Sequence, residues 1–234
     1  MISIGVTGTD TGVGKTTIAA ALLALLQRSG HRPAGIKPVQ TGGAMGGAAD
    51  DASLLRAAAG ADDPLEWVRP LVLRADVAPW LAARDGEREI DLTVLDAAFE
   101  RLTEGRDAVV VEASDGLVVP LTRDATFESL FVTWELDVVV VAANRRGVVN
   151  HVLLTVRAAH DAGLRVRGVV LNSAEGRSAD AAEATLDGLR RLLAPVPVFA
   201  FPRVSDPRDF AVLADAAERN GLGALLKERI APAG

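Results

Sequence analysis

Cysteine and tyrosine are both missing from this chain, and only three of its 234 residues are lysine. Without cysteine there is no disulfide, no thiolate metal site and no thiol nucleophile. Aromatic residues make up 4% of the sequence and the net charge is −6, so the basic stripe and stacking rings of a nucleic-acid surface are lacking and no nucleic-acid partner is expected. Long hydrophobic runs are absent too. Runs such as Val138 to Ala143 are far too short to cross a bilayer, and no membrane partner is expected. The histidines (His31, His151 and His160) are too scattered for a His-based metal site. The chain opens on the apolar stretch Ile2–Val6 with no basic segment before it, which is not a signal-peptide pattern, and residence in the cytoplasm is the expectation.

What is present fits one large α/β domain over residues 1–234, with Ala231–Gly234 expected to fray: hydrophobic content is 49% and charged content 24%. Short apolar, β-branched runs predict strands at Ile2–Thr7, Ala34–Lys37, Ala108–Val111, Val138–Ala142, Val166–Leu171 and Val196–Ala200. Several are near-continuous Val/Ile/Leu, as in parallel strands covered on both faces. Between them, helical patterns cover Thr16–Arg28, Asp51–Ala59, Leu92–Thr103, Thr126–Trp134, Val148–Ala162 and Ala179–Leu193. This alternation predicts a doubly wound, mostly parallel sheet with helices on both faces, of the P-loop NTPase type. The glycine-dense Gly42–Gly47 reads as a lid or substrate loop. Ala61–Gly86, with Pro64, Pro70 and Pro79 and no clean period, reads as a second loop. Trp67, Trp80 and Trp134 read as core or interface fillers, and His151 as structural.

The scarcity of lysine makes its positions informative. The other 22 basic residues are arginine. Lys15 closes Gly8-Thr9-Asp10-Thr11-Gly12-Val13-Gly14-Lys15-Thr16-Thr17, Lys37 sits in Ile36-Lys37-Pro38-Val39, and Lys227 lies near the C-terminus. A compact ammonium suits a place among phosphate oxygens where a planar guanidinium does not. A strand, a glycine-rich turn and a helix opening at Lys15 form the context of a phosphate loop. The backbone N–H groups of Gly12, Val13, Gly14 and Lys15 can converge on one anion, helped by the helix N-terminus. Lys15 would reach the β- and γ-phosphates of ATP, with Thr17 also in the nucleotide site. Thr16 would bind Mg²⁺. The usual pattern has four residues between the glycines, whereas five separate Gly8 from Gly14. Glu112, at the end of Val109–Val111, is placed as a magnesium carboxylate at a strand's C-terminal end. Asp51 is a second candidate, equally readable as a helix N-cap, with Asp50 its rival.

The blocks Thr7–Thr16, Lys37-Pro38-Val39-Gln40-Thr41-Gly42, Asp51-Ala52, Val111-Glu112, Gly147-Val148-Val149-Asn150-His151 and Gly168-Val169-Val170-Leu171-Asn172 resemble, in order and over nearly the whole chain, those of the dethiobiotin synthetases. The resemblance implies a ligase that closes the ureido ring of dethiobiotin from 7,8-diaminopelargonate, CO₂ and MgATP, through a carbamate and a carbamic-phosphoric mixed anhydride. It implies Lys15 and Lys37 beside the transferring phosphoryl group, with Lys37 also near the carbamate. Thr16, Asp51 and Glu112 would hold Mg²⁺, and Thr11 and Thr41 would bond carbamate or phosphate oxygens. Asn172 would read adenine, unless it terminates its strand by a side-chain hydrogen bond. Asn150 would contribute to diamine binding across a homodimer interface, unless it serves only its own helix. Asp206-Pro207 could border the adenine pocket or form a turn.

Two departures accompany the resemblance. The family's Gly-Ala-Gly-Gly after the metal glutamate is here Ala113-Ser114-Asp115-Gly116, and its Leu-Gly is here Arg145-Arg146-Gly147. One expectation joins them: Arg145 or Arg146 pairs with Asp115 or takes the substrate's distal carboxylate. The opposite one is a different substrate. The rival function in the same fold is a partner-switching ATPase of the partition or septum-positioning kind, whose loop carries a signature lysine where this chain has Asp10. A cobyrinate-type amidating domain would need a glutaminase cysteine that this chain lacks.

Overall fold

The computed structural model describes residues 1–42, 50–84, 89–173 and 178–227. In chain order the elements are β1 (Ile2–Gly8), α1 (Lys15–Arg28), β2 (Pro33–Ile36), β3 (Val39–Thr41), α2 (Asp51–Ala58), α3 (Leu65–Val68), β4 (Leu71–Leu73), α4 (Pro79–Arg84) and α5 (Leu92–Thr103). There follow β5 (Ala108–Gly116), α6 (Phe127–Thr133), β6 (Asp137–Ala143), α7 (Val148–Asp161), β7 (Val166–Asn172), α8 (Ala179–Leu193), β8 (Val198–Phe201), α9 (Phe210–Arg219) and a 3₁₀ turn, Leu222–Leu226. Six strands make one sheet in the order β2-β5-β1-β6-β7-β8, and every pairing in it is parallel. This is the doubly wound architecture that the apolar runs predict.

Within those runs the side chains alternate between two cores. Val109, Val111, Val138 and Val140 pack with α5, α6, α7 and α8 on one face. Ile4, Val6, Val110, Val139 and Val141 pack with α1 and α9 on the other. Each such side chain, fully buried, is worth about 1.5–3 kcal/mol, which explains why Val109–Val111 and Val138–Val141 are apolar at every position. Helix α1 is buried without a break from Ile18 to Leu26, as befits a helix that is hydrophobic all round. Arg28 at its end ties it to α9 through Asp215 (2.5 Å) and Glu218 (2.6 Å). Across the sheet the ring of Phe131 in α6 packs directly against Gly5 of β1. A Cβ on Gly5 would come within 2.5 Å of it, so only glycine permits that approach.

The stretch read as a proline-rich loop, Ala61–Gly86, is corrected by α3, β4 and α4. Each is at most six residues long, too short to show a period, and β4 exists by pairing with β3 in a separate parallel two-stranded sheet. Helix α9 was likewise not anticipated. Of the glycine-dense stretch, residues 43–47 lie outside the described residues, as does the C-terminal tail.

Candidate functional site

Register brings the candidate residues together. Parallel β1 and β5 set Val6 beside Glu112, and β2 sets Ile36 beside Val111. Lys37, the residue just after β2, therefore lies against Glu112, and both stand at the edge of the sheet where the glycine turn leaves β1. In open α/β sheets this carboxyl edge is where ligands bind.

The turn itself is held in shape by its own chain. Gly14, with φ of 92°, is the left-handed residue that starts α1. Asn172, at the end of β7, donates its side-chain amide to the carbonyl of Val13 (2.7 Å) and more distantly to that of Gly14 (3.5 Å). A Cβ at Gly14 would sit 2.2 Å from that amide, so this position excludes any side chain twice over, by φ and by space. Lys15 curls back on the loop and donates to the Asp10 carbonyl at 2.9 Å. Thr11 is exposed on the loop, its backbone N–H held by the Asp10 carboxylate at 2.8 Å.

Lys37 is 5% exposed and Glu112 1%. The Lys37 ammonium bridges two carboxylates, donating to Asp51 and, at 3.0 Å, to Glu112 Oε1. The Thr16 hydroxyl donates to the same Oε1 at 2.8 Å. Burial works against the charge on Lys37, but Glu112 and Asp51 outweigh it and hold the group protonated well above the ordinary lysine range. Glu112 is pushed up, chiefly by its burial, against the pull of Lys37. Lys15 is pushed down, first by burial and further by Lys37, with Glu112 opposing. Two polar atoms at this edge, Glu112 Oε2 and Thr7 Oγ1, are buried without a hydrogen-bond partner. Groups of that kind are rare unless a ligand, ion or water completes them.

That orphaned oxygen is the test for a magnesium ion. Glu112, Asp51 and the Thr16 hydroxyl are hard oxygen donors, which suits Mg²⁺, an ion that takes one or two carboxylates and fills its shell with phosphate oxygens and water. Among the described residues no set of three or more His, Asp or Glu forms a cage by itself. The residues present therefore fit magnesium bound together with phosphates.

Asp50, not Asp51, caps α2. Its carboxylate accepts from Ala52 N (3.3 Å) and pairs with the buried Arg69 (2.5 Å). This leaves Asp51, in the first turn, to face Lys37. Thr41 ends β3 and is half-buried, and Asn150 is exposed in the first turn of α7. Neither of the pairings expected of Asp115, with Arg145 or with Arg146, is among the ion pairs of the described residues. Arg145 binds the carboxylate of Asp10 instead, because the turn after β6 and the glycine turn leave adjacent strand ends. A cavity of about 360 Å³ beside the glycine turn is lined by Gly12, Gly14, Thr17, Arg145 and Asn172, with Pro202–Val204 on its far wall. Asp206-Pro207 is not among its lining residues; Asp206 accepts from Arg208 N at 2.9 Å and closes a turn. Sequence reasoning missed the Asp10–Arg145 pair and the Pro202–Val204 wall. The latter was signalled only by its place just after a strand neighbouring β7.

Comparison with known proteins gives a consistent picture. The profile of a family described as an AAA domain matches residues 3–201. An ATP-dependent dethiobiotin synthetase of Anaeromyxobacter dehalogenans (strain 2CP-C) is 44% identical over 172 residues, which cover 74% of this chain and 77% of that protein. The one from Nitrosospira multiformis is 36% identical over 213 residues, 91% of this chain and 94% of its own. The one from Methanococcus vannielii is 35% identical over 169 residues, 72% and 78% respectively.

Proposed function

Since the chain belongs to the dethiobiotin synthetase family, and is thereby an ATP-dependent ligase of biotin biosynthesis, we propose that it joins 7,8-diaminopelargonate and CO₂ into dethiobiotin with cleavage of ATP to ADP and phosphate. The observation that carries the reading is the convergence of Lys37, Asp51, Glu112 and Thr16 on the turn that ends in Lys15.

One amine of the diamine takes up CO₂ as a carbamate, whose oxygen attacks the γ-phosphoryl group with ADP leaving. The second amine then attacks the carbamoyl carbon, phosphate departs, and the ring closes. Phosphoryl transfer of this kind demands position and charge neutralisation more than covalent chemistry from the protein, so a chain without cysteine lacks nothing that it needs. The backbone of Gly12–Lys15 and Thr17 cradles the phosphates. Lys15 exchanges its contact with the Asp10 carbonyl for a phosphate oxygen, and Lys37 spans carbamate and γ-phosphate. Thr11 and Thr41 donate to oxygens of the same two groups. Thr16, Asp51 and Glu112 hold Mg²⁺, which when bound supplies charge neutralisation at the phosphates. Asn172, whose amide donors serve Val13, meets adenine through its side-chain oxygen. Asn150 serves the diamine at the interface of a homodimer.

The test is phosphate release with MgATP, bicarbonate and the diamine. Release that depends on the diamine, with dethiobiotin as product, is expected. Diamine-independent hydrolysis stimulated by another protein would instead favour a switch ATPase, a reading that Asp10, paired to Arg145 where such proteins carry a lysine, gives no support.

A further inference from the structure

We propose that Asp115 binds an ammonium group of the diamine and so selects a cationic amine substrate. The proposal rests on the function proposed above and assigns to that site a group on its substrate side.

The backbone puts Asp115 there. The β1–β5 ladder runs in register to Val6↔Glu112 and resumes at Gly8↔Gly116, so Ala113, Ser114 and Asp115 stand opposite Thr7 alone. Such a bulge ejects residues from the ladder and re-aims their side chains, and bulges are common beside active sites. This one is pinned on both sides. The Ser114 hydroxyl donates to the Val39 carbonyl, two residues beyond Lys37, and Gly116 pairs with Gly8 where the ladder resumes. Asp115 is thus fixed between the Lys37 segment and the glycine turn, half-buried, and close enough to Lys15 to favour its charged form.

Charge then indicates what it meets. The other carboxylates of this edge each have a cation: Asp10 has Arg145, and Asp51 and Glu112 share Lys37. Asp115 enters none of the ion pairs formed among the described residues, whose members include Arg69–Asp50, Arg106–Asp63 and Arg167–Asp137. Lys15 acts on Asp115 only through space, and once Lys15 is engaged by phosphate a carboxylate beside a triphosphate is repelled by about 1 kcal/mol per charge pair at 4 Å in water, and by about four times that near a protein surface. A cation placed between them reverses the sign. An alkyl amine titrates close to lysine, near ~10.4, so the diamine arrives at neutral pH carrying such a cation. Asp115 therefore pairs with one ammonium while the other nitrogen is the one that takes up CO₂. A monoamine or an amino alcohol can satisfy only one of these two demands.

Direct titration of the diamine onto the full chain, saturated with Mg²⁺ and a non-hydrolysable ATP analogue at neutral pH, tests this in the wild type and in Asp115→Asn, Asp115→Gly and Asp115→Glu. Loss of one charge-assisted contact predicts diamine affinity weakened about tenfold in the Asn and Gly variants. Nucleotide affinity is expected to be unchanged or improved, KM for the diamine to rise more than kcat falls, and Glu to restore most of the loss. If the wild type binds the diamine and Asp115→Asn binds it equally well, the proposal fails while the enzyme's function stands. Equal loss of nucleotide and diamine affinity would reduce Asp115 to a structural part of the bulge and also overturn it. No diamine binding by the wild type would remove the functional reading together with this one.

Discussion

Lys37 is the residue on which two roles meet. Its ammonium compensates Asp51 and Glu112 in the fold and is the group proposed to span carbamate and γ-phosphate. In Lys37→Ala, diamine-dependent turnover is expected to fall by about a hundredfold or more, as when a preorganised donor is removed from a site of charge transfer. Nucleotide binding, held by Lys15 and the backbone of the turn, should stay measurable by titration; wild-type turnover in this variant would refute the role. The rarity of lysine also makes an alkaline titration readable, because no cysteine or tyrosine titrates in that range. Burial pushes Lys15 below the ordinary 10.5, so the folded state binds fewer protons than the unfolded chain and gains stability as pH rises from that lowered value to 10.5. Lys37 is shifted the other way: its contribution is complete below 10.5 and is lost above it, as pH climbs toward the folded-state value. Thermal midpoints should therefore rise slightly on approach to pH ~10.4 and fall beyond it, and Lys15→Met should abolish the rise while keeping the fall.

At the scale of elements, α2 shows what the sequence could and could not reveal. Its helical pattern was plain, but the two aspartates at its start were indistinguishable by type and spacing. Partners distant in sequence separate them, Arg69 pairing with Asp50 and Lys37 with Asp51, and Arg69 lies in the stretch whose short α3 and β4 left no periodic trace. Long elements were legible because each repeats its pattern several times, as in α5 and α8, whose expected bounds match those observed. Short elements depend on partners distant in sequence, and β4 is the example. The same reasoning applies to the site: the glycine turn and its lysine are local signals, whereas Arg145 reaches Asp10 across 135 positions. Asp50→Ala should cost about 3–5 kcal/mol in chemical denaturation, since it leaves the buried Arg69 charge unpaired and removes the α2 cap. Asp50→Asn retains a capping oxygen and should fall between it and wild type.

For the molecule as a whole, the sheet joins two cores, and Phe131 is where one of them presses hardest on the strands. Phe131→Ala should destabilise by about 3–5 kcal/mol. Gly5→Ala alone forces a methyl against that ring and should also destabilise. Together the two changes share one space, so the double variant should lose less than the sum of the singles, a coupling that equilibrium unfolding can measure. Strict additivity would show that the ring does not rest on β1. No helix among the described residues is long and apolar enough to cross a membrane.

Asn172 has a consequence for kinetics. By clamping the Val13 carbonyl from the end of β7, it makes the curvature of the phosphate turn a property of the sheet, already set before any ligand arrives. Nucleotide then docks onto a finished mould, with little backbone entropy left to lose on contact. Rapid mixing with a fluorescent ATP analogue should give one exponential whose rate grows linearly with concentration and shows no plateau, and Asn172→Ala should introduce a slower, saturating phase as the turn takes shape around its guest.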